Sequence, residues 1–182
     1  MVSGHVELVV CAAPLAHHAA RLAAAVLEGG WSLSVVASSN AEAWLDTAAL
    51  TKIVGKESLV VRPRAPDEAR RRPRPSAVIA APATFNTLNK LRAGISDTAA
   101  LGALNDAVGS QVPLLVVPMV SDRLAGHPAW IETFDWLARA GISVLDPTHG
   151  HTGSTAALAS GTGDSIAATF DARLLTDWLR RV

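Results

Sequence analysis

The 182-residue chain contains a single cysteine, and that shortage excludes whole classes of chemistry. Cys11 has no partner for an intramolecular disulfide and cannot anchor a cysteine-cluster metal site. It lies inside an apolar run, which fits a buried, unreactive thiol. Net charge is also missing, because 16 basic side chains balance 16 acidic ones. Global charge therefore offers nothing to a nucleic-acid backbone or an anionic membrane. No apolar stretch reaches the roughly 18 residues that a membrane-spanning helix needs. No basic segment followed by an apolar segment and a cleavage site opens the chain, so a cytoplasmic protein is expected. No Gly-x-Ser-x-Gly elbow and no Gly-x-x-x-x-Gly-Lys-Ser/Thr phosphate loop occur, and Gly161-Thr162-Gly163 reads as a turn. His149-Gly150-His151 is followed by no carboxylate or thiol at ligand spacing, so no metal site is expected.

What is present is an alternation of apolar strands and helices. Strands are expected at His5–Ala12, Trp31–Ala37, Ser58–Val61, Ser76–Ala81, Val112–Val117 and Ile142–Leu145. Helical patterns fill Pro14–Glu28, the stretch from Ser38-Ser39-Asn40-Ala41 to about Ala49, and Thr84–Ala93, which Gly94 ends. Further helices run from Ser96-Asp97 to about Val108, from His127-Pro128 to Ala140, and from Asp164 or Asp171 to the C-terminus. The strands are continuous apolar runs rather than alternating ones. That pattern calls for a mostly parallel sheet covered by helices on both faces, an α/β, single-domain Rossmann-like (flavodoxin-like) fold over residues 1–182.

Two segments stand apart. Arg62–Pro75 holds six of the thirteen arginines and four of the ten prolines, opposed only by Asp67 and Glu68. Proline blocks regular structure, so an exposed basic loop is expected, either a solvated connector or a contact for an anionic substrate. Thr148–Gly163 is rich in Gly, Thr and Ser, with no large apolar anchor before Leu158. It reads as a flexible loop, either a lid or plain surface.

The chemistry concentrates where strands end. Pro82-Ala83-Thr84-Phe85-Asn86-Thr87 follows the run Ser76–Ala81, and Asn89-Lys90-Leu91 and Gly94-Ile95-Ser96-Asp97 come after it. Ser38-Ser39-Asn40-Ala41 with Trp44-Leu45 follows the second strand, where it also suits an ordinary helix cap. Val116-Val117-Pro118-Met119-Val120-Ser121 through His127-Pro128 follows the fifth. Together with the small-residue end of the first strand, Cys11-Ala12-Ala13-Pro14, they make four segments that resemble the homo-oligomeric flavin-containing cysteine decarboxylases, in chain order after the first: T/S-x-x-A-x-x-aromatic-aliphatic, P-A-S-A-N-T continued by N-K-I-A-x-G-I-x-D, and P-x-M-N-x-x-M-W-x-x-P. The resemblance covers roughly residues 6 to 147. It implies bound FMN at a subunit interface, and a homo-oligomer that is a trimer or an assembly of trimers. Carried over, it places Ala13, Pro14, Ser38, Asn40, Ala83, Thr84, Asn86, Thr87 and Met119 at the FMN. Ser38 takes the phosphate-binding position. Phe85, Leu88 and Trp130 become interface candidates, Asp97 a helix cap at a boundary, and one imidazole of His17-His18 faces the flavin slot.

The resemblance breaks at three positions. The family's essential His falls here on Glu68, and no His lies between His18 and His127. Its carboxylate-binding Asn is Ser121, followed by Leu124 and Ala125 in place of Met and Trp, which leaves more room. Its lid Ala-Cys-Gly corresponds to Ala159-Ser160-Gly161. The expected function is therefore an FMN-binding flavoprotein doing redox or decarboxylase-like chemistry on a small molecule or peptide tail. Ser121 and Glu68 are its catalytic candidates, with Asp122 and Arg123 on the substrate side. Two alternatives stay open: a non-catalytic flavin-binding or regulatory subunit, and a flavin prenyltransferase-like protein. The latter's Gly-Ala-Ser-Gly first loop is replaced by Ala12-Ala13-Pro14.

Overall fold

Six strands, all parallel, build one sheet in the computed structural model, which describes residues 4–60, 73–153 and 157–182. They are β1 (His5–Val10), β2 (Ser32–Ala37), β3 (Leu59–Val60), β4 (Ala77–Ala83), β5 (Leu114–Pro118) and β6 (Ser143–Val144). Their spatial order is β3-β2-β1-β4-β5-β6. The chain thus grows outward from β1 in one direction, then returns to the centre and grows from β4 in the other. Such a switch point leaves a crevice beyond the carboxyl ends of the two central strands.

The helices are α1 (Ala19–Glu28), α2 (Thr47–Val54), α3 (Phe85–Arg92), α4 (Ala99–Gly109), α5 (Asp122–Ala125), α6 (Pro128–Arg139), α7 (Gly163–Thr169) and α8 (Arg173–Leu179). Alternate β1 residues face opposite layers, as strand geometry requires. Val6, Leu8 and Val10 meet Leu22 and Val26 of α1, Leu50 of α2 and Leu175 of α8 on one side. Val9 and Cys11 share the other with Leu88, Leu104, Phe134 and Leu137. The sheet is therefore buried on both faces, which is why its strands read as unbroken apolar runs. No described helix is long and apolar enough to cross a membrane.

Local signals set several boundaries as expected. Thr84 caps α3 by accepting from the Thr87 N–H, and Gly94 takes φ +69 just past its end. His127 caps α6, its Nδ1 accepting from the Ala129 N–H at 3.1 Å, with Pro128 in the first turn.

Other boundaries differ. Pro14–His18 is a 3-10 turn, so the first α-helix begins only at Ala19. The segment after Ser38 is not one helix to Ala49. A 3-10 turn, Ser39–Trp44, stops at Leu45, which is extended (φ −95°, ψ 136°) and packs on the core. Asp46 then caps α2 by accepting from Ala49 N–H at 2.9 Å. A second cap residue close behind the first allows the chain to restart in a new direction. Thr98, not Asp97, caps α4, while Asp97 pairs with Lys90 at 2.5 Å. At the C-terminus the single expected helix is two, α7 from Gly163 and α8 from Arg173, because the chain leaves the helical path at the buried Phe170. Leu88 is fully buried and Trp130 only 4% exposed, so they are core residues here and not available to a subunit interface; Phe85 is half-buried.

Candidate functional site

All the described candidate residues lie at the carboxyl edge of the sheet. Ala13 and Pro14 follow β1, and Ser38 and Asn40 follow β2. Ala83 to Thr87 span the end of β4 and the start of α3, while Met119 and Ser121 follow β5. Glu68 lies outside the described residues.

Backbone hydrogen bonds tie these loops together. The Cys11 N–H donates to the Pro82 carbonyl at 3.0 Å, Ser38 N–H to Val10 at 2.9 Å, and Met119 N–H to Ala83 at 2.9 Å. The Ala81–Pro82 bond is cis, and the β4–β5 register shifts between Ala80 and Ala83. Met119 itself is buried, and its sulfur accepts from the Leu15 N–H at 3.3 Å. That bond ties Met119 to the Pro14–His18 turn. Gly163 sits so close to Pro14 that a Cβ there would lie 2.8 Å from the proline Cγ.

The floor of the crevice is made of small side chains, with Ala13, Ala81 and Ala83 all buried. Its polar groups are hydroxyls and carboxamides. Thr84 Oγ1 and Thr87 Oγ1 are 2.9 Å apart, and Thr87 is only 6% exposed. Asn40 and Asn86 are exposed, and Ser38 is half-exposed with its hydroxyl not spent on capping the turn it begins. Cys11, which from the sequence is simply a buried thiol, lies directly under this group. Burial pushes its thiol pKa up, against opposing hydrogen bonds from the Thr87 side chain and the Thr84 backbone. The thiol therefore stays protonated at neutral pH and acts as an apolar part of the floor.

Two further arrangements were not legible in the sequence. The ring of His17, which is exposed, packs at a tilt against Trp44. His18 is held below the ordinary imidazole range by partial burial and by the charges of Arg21 and His17. The second arrangement is the attachment of the 157–160 segment to the β5–α5 turn. Leu158 N–H donates to Val120 O and Asp122 N–H to Leu158 O, both at 2.8 Å, and the Leu158 side chain is buried. Ser160 Oγ donates to Asp122 Oδ1 at 2.5 Å. This part of the lid-like loop is thus pinned beside Ser121, although a Gly/Ser/Thr-rich composition suggests mobility.

The Ser160 hydroxyl is the largest cause holding the Asp122 carboxyl below the usual carboxylate range. A depressed folded-state pKa gives a contribution that is complete above the unfolded value of about 3.9 and lost as pH falls through the folded one. The protection factor of the amides at Ser160 and its neighbours, that is, exchange corrected for its intrinsic pH dependence, is therefore expected to fall on acidification below about pH 4. Ser160→Ala should lower the protection factor already at pH 7 and abolish that pH response. A wild-type protection factor constant through this range would show that the side-chain bond holds nothing.

Among the described residues no three His, Cys, Asp or Glu side chains gather as a metal ion would require. His149 Nδ1 is instead paired with the buried Asp146 at 3.0 Å, and the His149 and His151 rings are 6.5 Å apart.

A doubly wound parallel sheet with small residues and short polar groups at its switch point defines the flavodoxin-like class of ligand-binding fold. The family model described as Flavoprotein matches residues 2–168, and the chain belongs to that family. It is 29% identical over 70 residues to the coenzyme A biosynthesis bifunctional protein CoaBC of Thermococcus kodakarensis, covering 38% of this chain and 17% of that protein. The chain thus matches under a fifth of that relative's length. Among solved structures it is similar to a mutant PPC decarboxylase complexed with pantothenoylaminoethenethiol. The TM-score is 0.70 at 18% identity, covering 97% of this chain and 96% of the other. It is also similar to the FMN-dependent cysteine decarboxylase TvaF from thioviridamide biosynthesis. That match has a TM-score of 0.66 at 21% identity, covering 91% and 99% of the two chains. At such identities the structural likeness establishes the fold.

Proposed function

We propose that this protein binds FMN and performs redox or decarboxylase-like chemistry on a small molecule or peptide tail, as a homo-oligomer. The observation that carries the reading is the donor set around the alanine floor. Loops from β1, β2, β4 and β5 converge there with hydroxyl and carboxamide groups, several of them exposed. That set suits a flat, phosphorylated ring system better than a metal or a charged polymer. Ser38 and Asn40 serve the phosphate. Ala13, Pro14 and Ala83 leave room for the ring, and Met119 backs them. Thr84, Asn86 and Thr87 serve the ring edge. Bound oxidised flavin supplies a hydride acceptor. On the protein side, Ser121 Oγ hydrogen-bonds a substrate carboxylate, and the Glu68 carboxylate takes the substrate proton.

The purified protein is expected to be yellow and to release FMN on heating. Ser38→Ala should weaken FMN binding roughly tenfold or more, since a hydrogen bond to a charged group contributes about 1.5–3 kcal/mol. Asn86→Ala should weaken it by about 2- to 10-fold, the range for a neutral partner. A colourless protein that fails to take up added FMN would sink the proposal.

One observation favours a second reading, a flavin-binding subunit without catalysis. The hydroxyl of Ser160, at the position of the related enzymes' lid cysteine, is engaged with Asp122. Anaerobic addition of a peptide ending in cysteine separates the two readings. Bleaching of the flavin supports the enzyme, and an unchanged spectrum supports the subunit.

A further inference from the structure

The His17 and Trp44 ring centroids are 4.9 Å apart with 32° between the planes. The two residues lie at the far ends of the two 3-10 turns, Pro14–His18 and Ser39–Trp44, that leave the adjacent strands β1 and β2. One turn follows Ala13 and begins at Pro14, and the other follows Ser38 and contains Asn40. At their bases the two arms are tied by the Ser38 N–H to Val10 bond. The ring pair ties them again at their far ends. Trp44 is half-buried against the core, whereas His17 is exposed, so packing of the interior does not require a ring at position 17.

We propose that His17 and Trp44 are positioning residues for the flavin, their ring contact fixing the spacing between the arm of Ala13 and Pro14 and the arm of Ser38 and Asn40. This rests on the reading of both arms as cofactor-binding. A ligand that bridges two arms binds more tightly when they are already held at the bound spacing, because less ordering remains to be done on binding. Aromatic ring pairs change an equilibrium constant by roughly 2- to 10-fold, which sets the size of the effect.

The test pairs FMN titration with amide exchange at Ala41, whose N–H donates to Ser38 O at 2.9 Å. His17→Gln should weaken FMN binding about 2- to 10-fold and speed exchange at Ala41 in the cofactor-free protein. His17→Phe, which keeps a ring but no imidazole, should restore both. In a Trp44→Leu background, His17→Gln should have no further effect on either. Wild-type affinity in His17→Gln would overturn the proposal, and so would a full effect in the Trp44→Leu background. If the wild-type protein takes up no FMN, the cradle reading itself fails. A surviving effect on Ala41 exchange would then show a tie between the turns that serves no flavin.

Discussion

Replacing Gly163 by valine is expected to destabilise the protein by about 1–3 kcal/mol, the usual range for overpacking, and to weaken FMN binding at the same time. Even a Cβ at this position would meet Pro14 Cγ at 2.8 Å. The pyrrolidine ring is not the far end of a flexible side chain, so it cannot simply swing aside. Nor is α7 free to retreat. Arg21 donates to the carbonyls of Ala168 and Ala167 at 3.0 and 2.8 Å, and Ala167 is buried in the core. The strain must therefore move the Pro14 turn, whose Leu15 N–H is held by the Met119 sulfur. Urea denaturation and FMN titration on the same variant check the two halves of the expectation. A variant with wild-type midpoint and affinity would show that the turn adjusts without cost and does not set the site.

Leu88→Ala should cost about 2–5 kcal/mol of stability, the range for deleting a fully buried leucine side chain. Leu88 is fully buried, in one cluster with Leu91, Leu104, Trp130 and Phe134. The family resemblance alone puts Leu88 at a subunit boundary, and the two positions have different consequences. A core residue lowers the urea midpoint at every protein concentration. An interface residue shifts association and makes the apparent stability depend on concentration. Denaturation at two well-separated concentrations, with light scattering for mass, distinguishes them. A midpoint change below about 1 kcal/mol together with loss of association would return Leu88 to an interface.

The discrepancy at Leu88 has a physical cause. It stands four residues after Thr84 in a motif whose first half belongs to the crevice, and resemblance alone carries a whole motif to one place. A helix instead turns successive residues through about 100°, so α3 offers Asn86 to solvent and Leu88 to the core. Proximity in the motif does not mean proximity at the site.

The same limit explains what else is and is not legible. Val-rich runs without alternation are enough to require a parallel sheet with two covered faces. Thr84, Gly94 and the His127-Pro128 pair mark helix ends, because capping is settled by groups within a few residues. The stretch after the second strand reads as one helix, since nothing local distinguishes a cap at Ser38 from a second cap at Asp46. That choice falls to Leu45, which leaves the helical path to pack on the core.

The sequence by itself therefore determined the strands, most of the helices, the fold class and the loops that carry the polar groups. Only the tertiary structure decided what those loops meet. Leu15 N–H reaches Met119 across 104 residues, Ser160 reaches Asp122 across 38, and His17 finds Trp44 in the next strand's loop. Propensity and periodicity act over one or two turns of chain. These contacts follow from strand order and register, which are fixed by how the whole set of apolar faces can be buried at once.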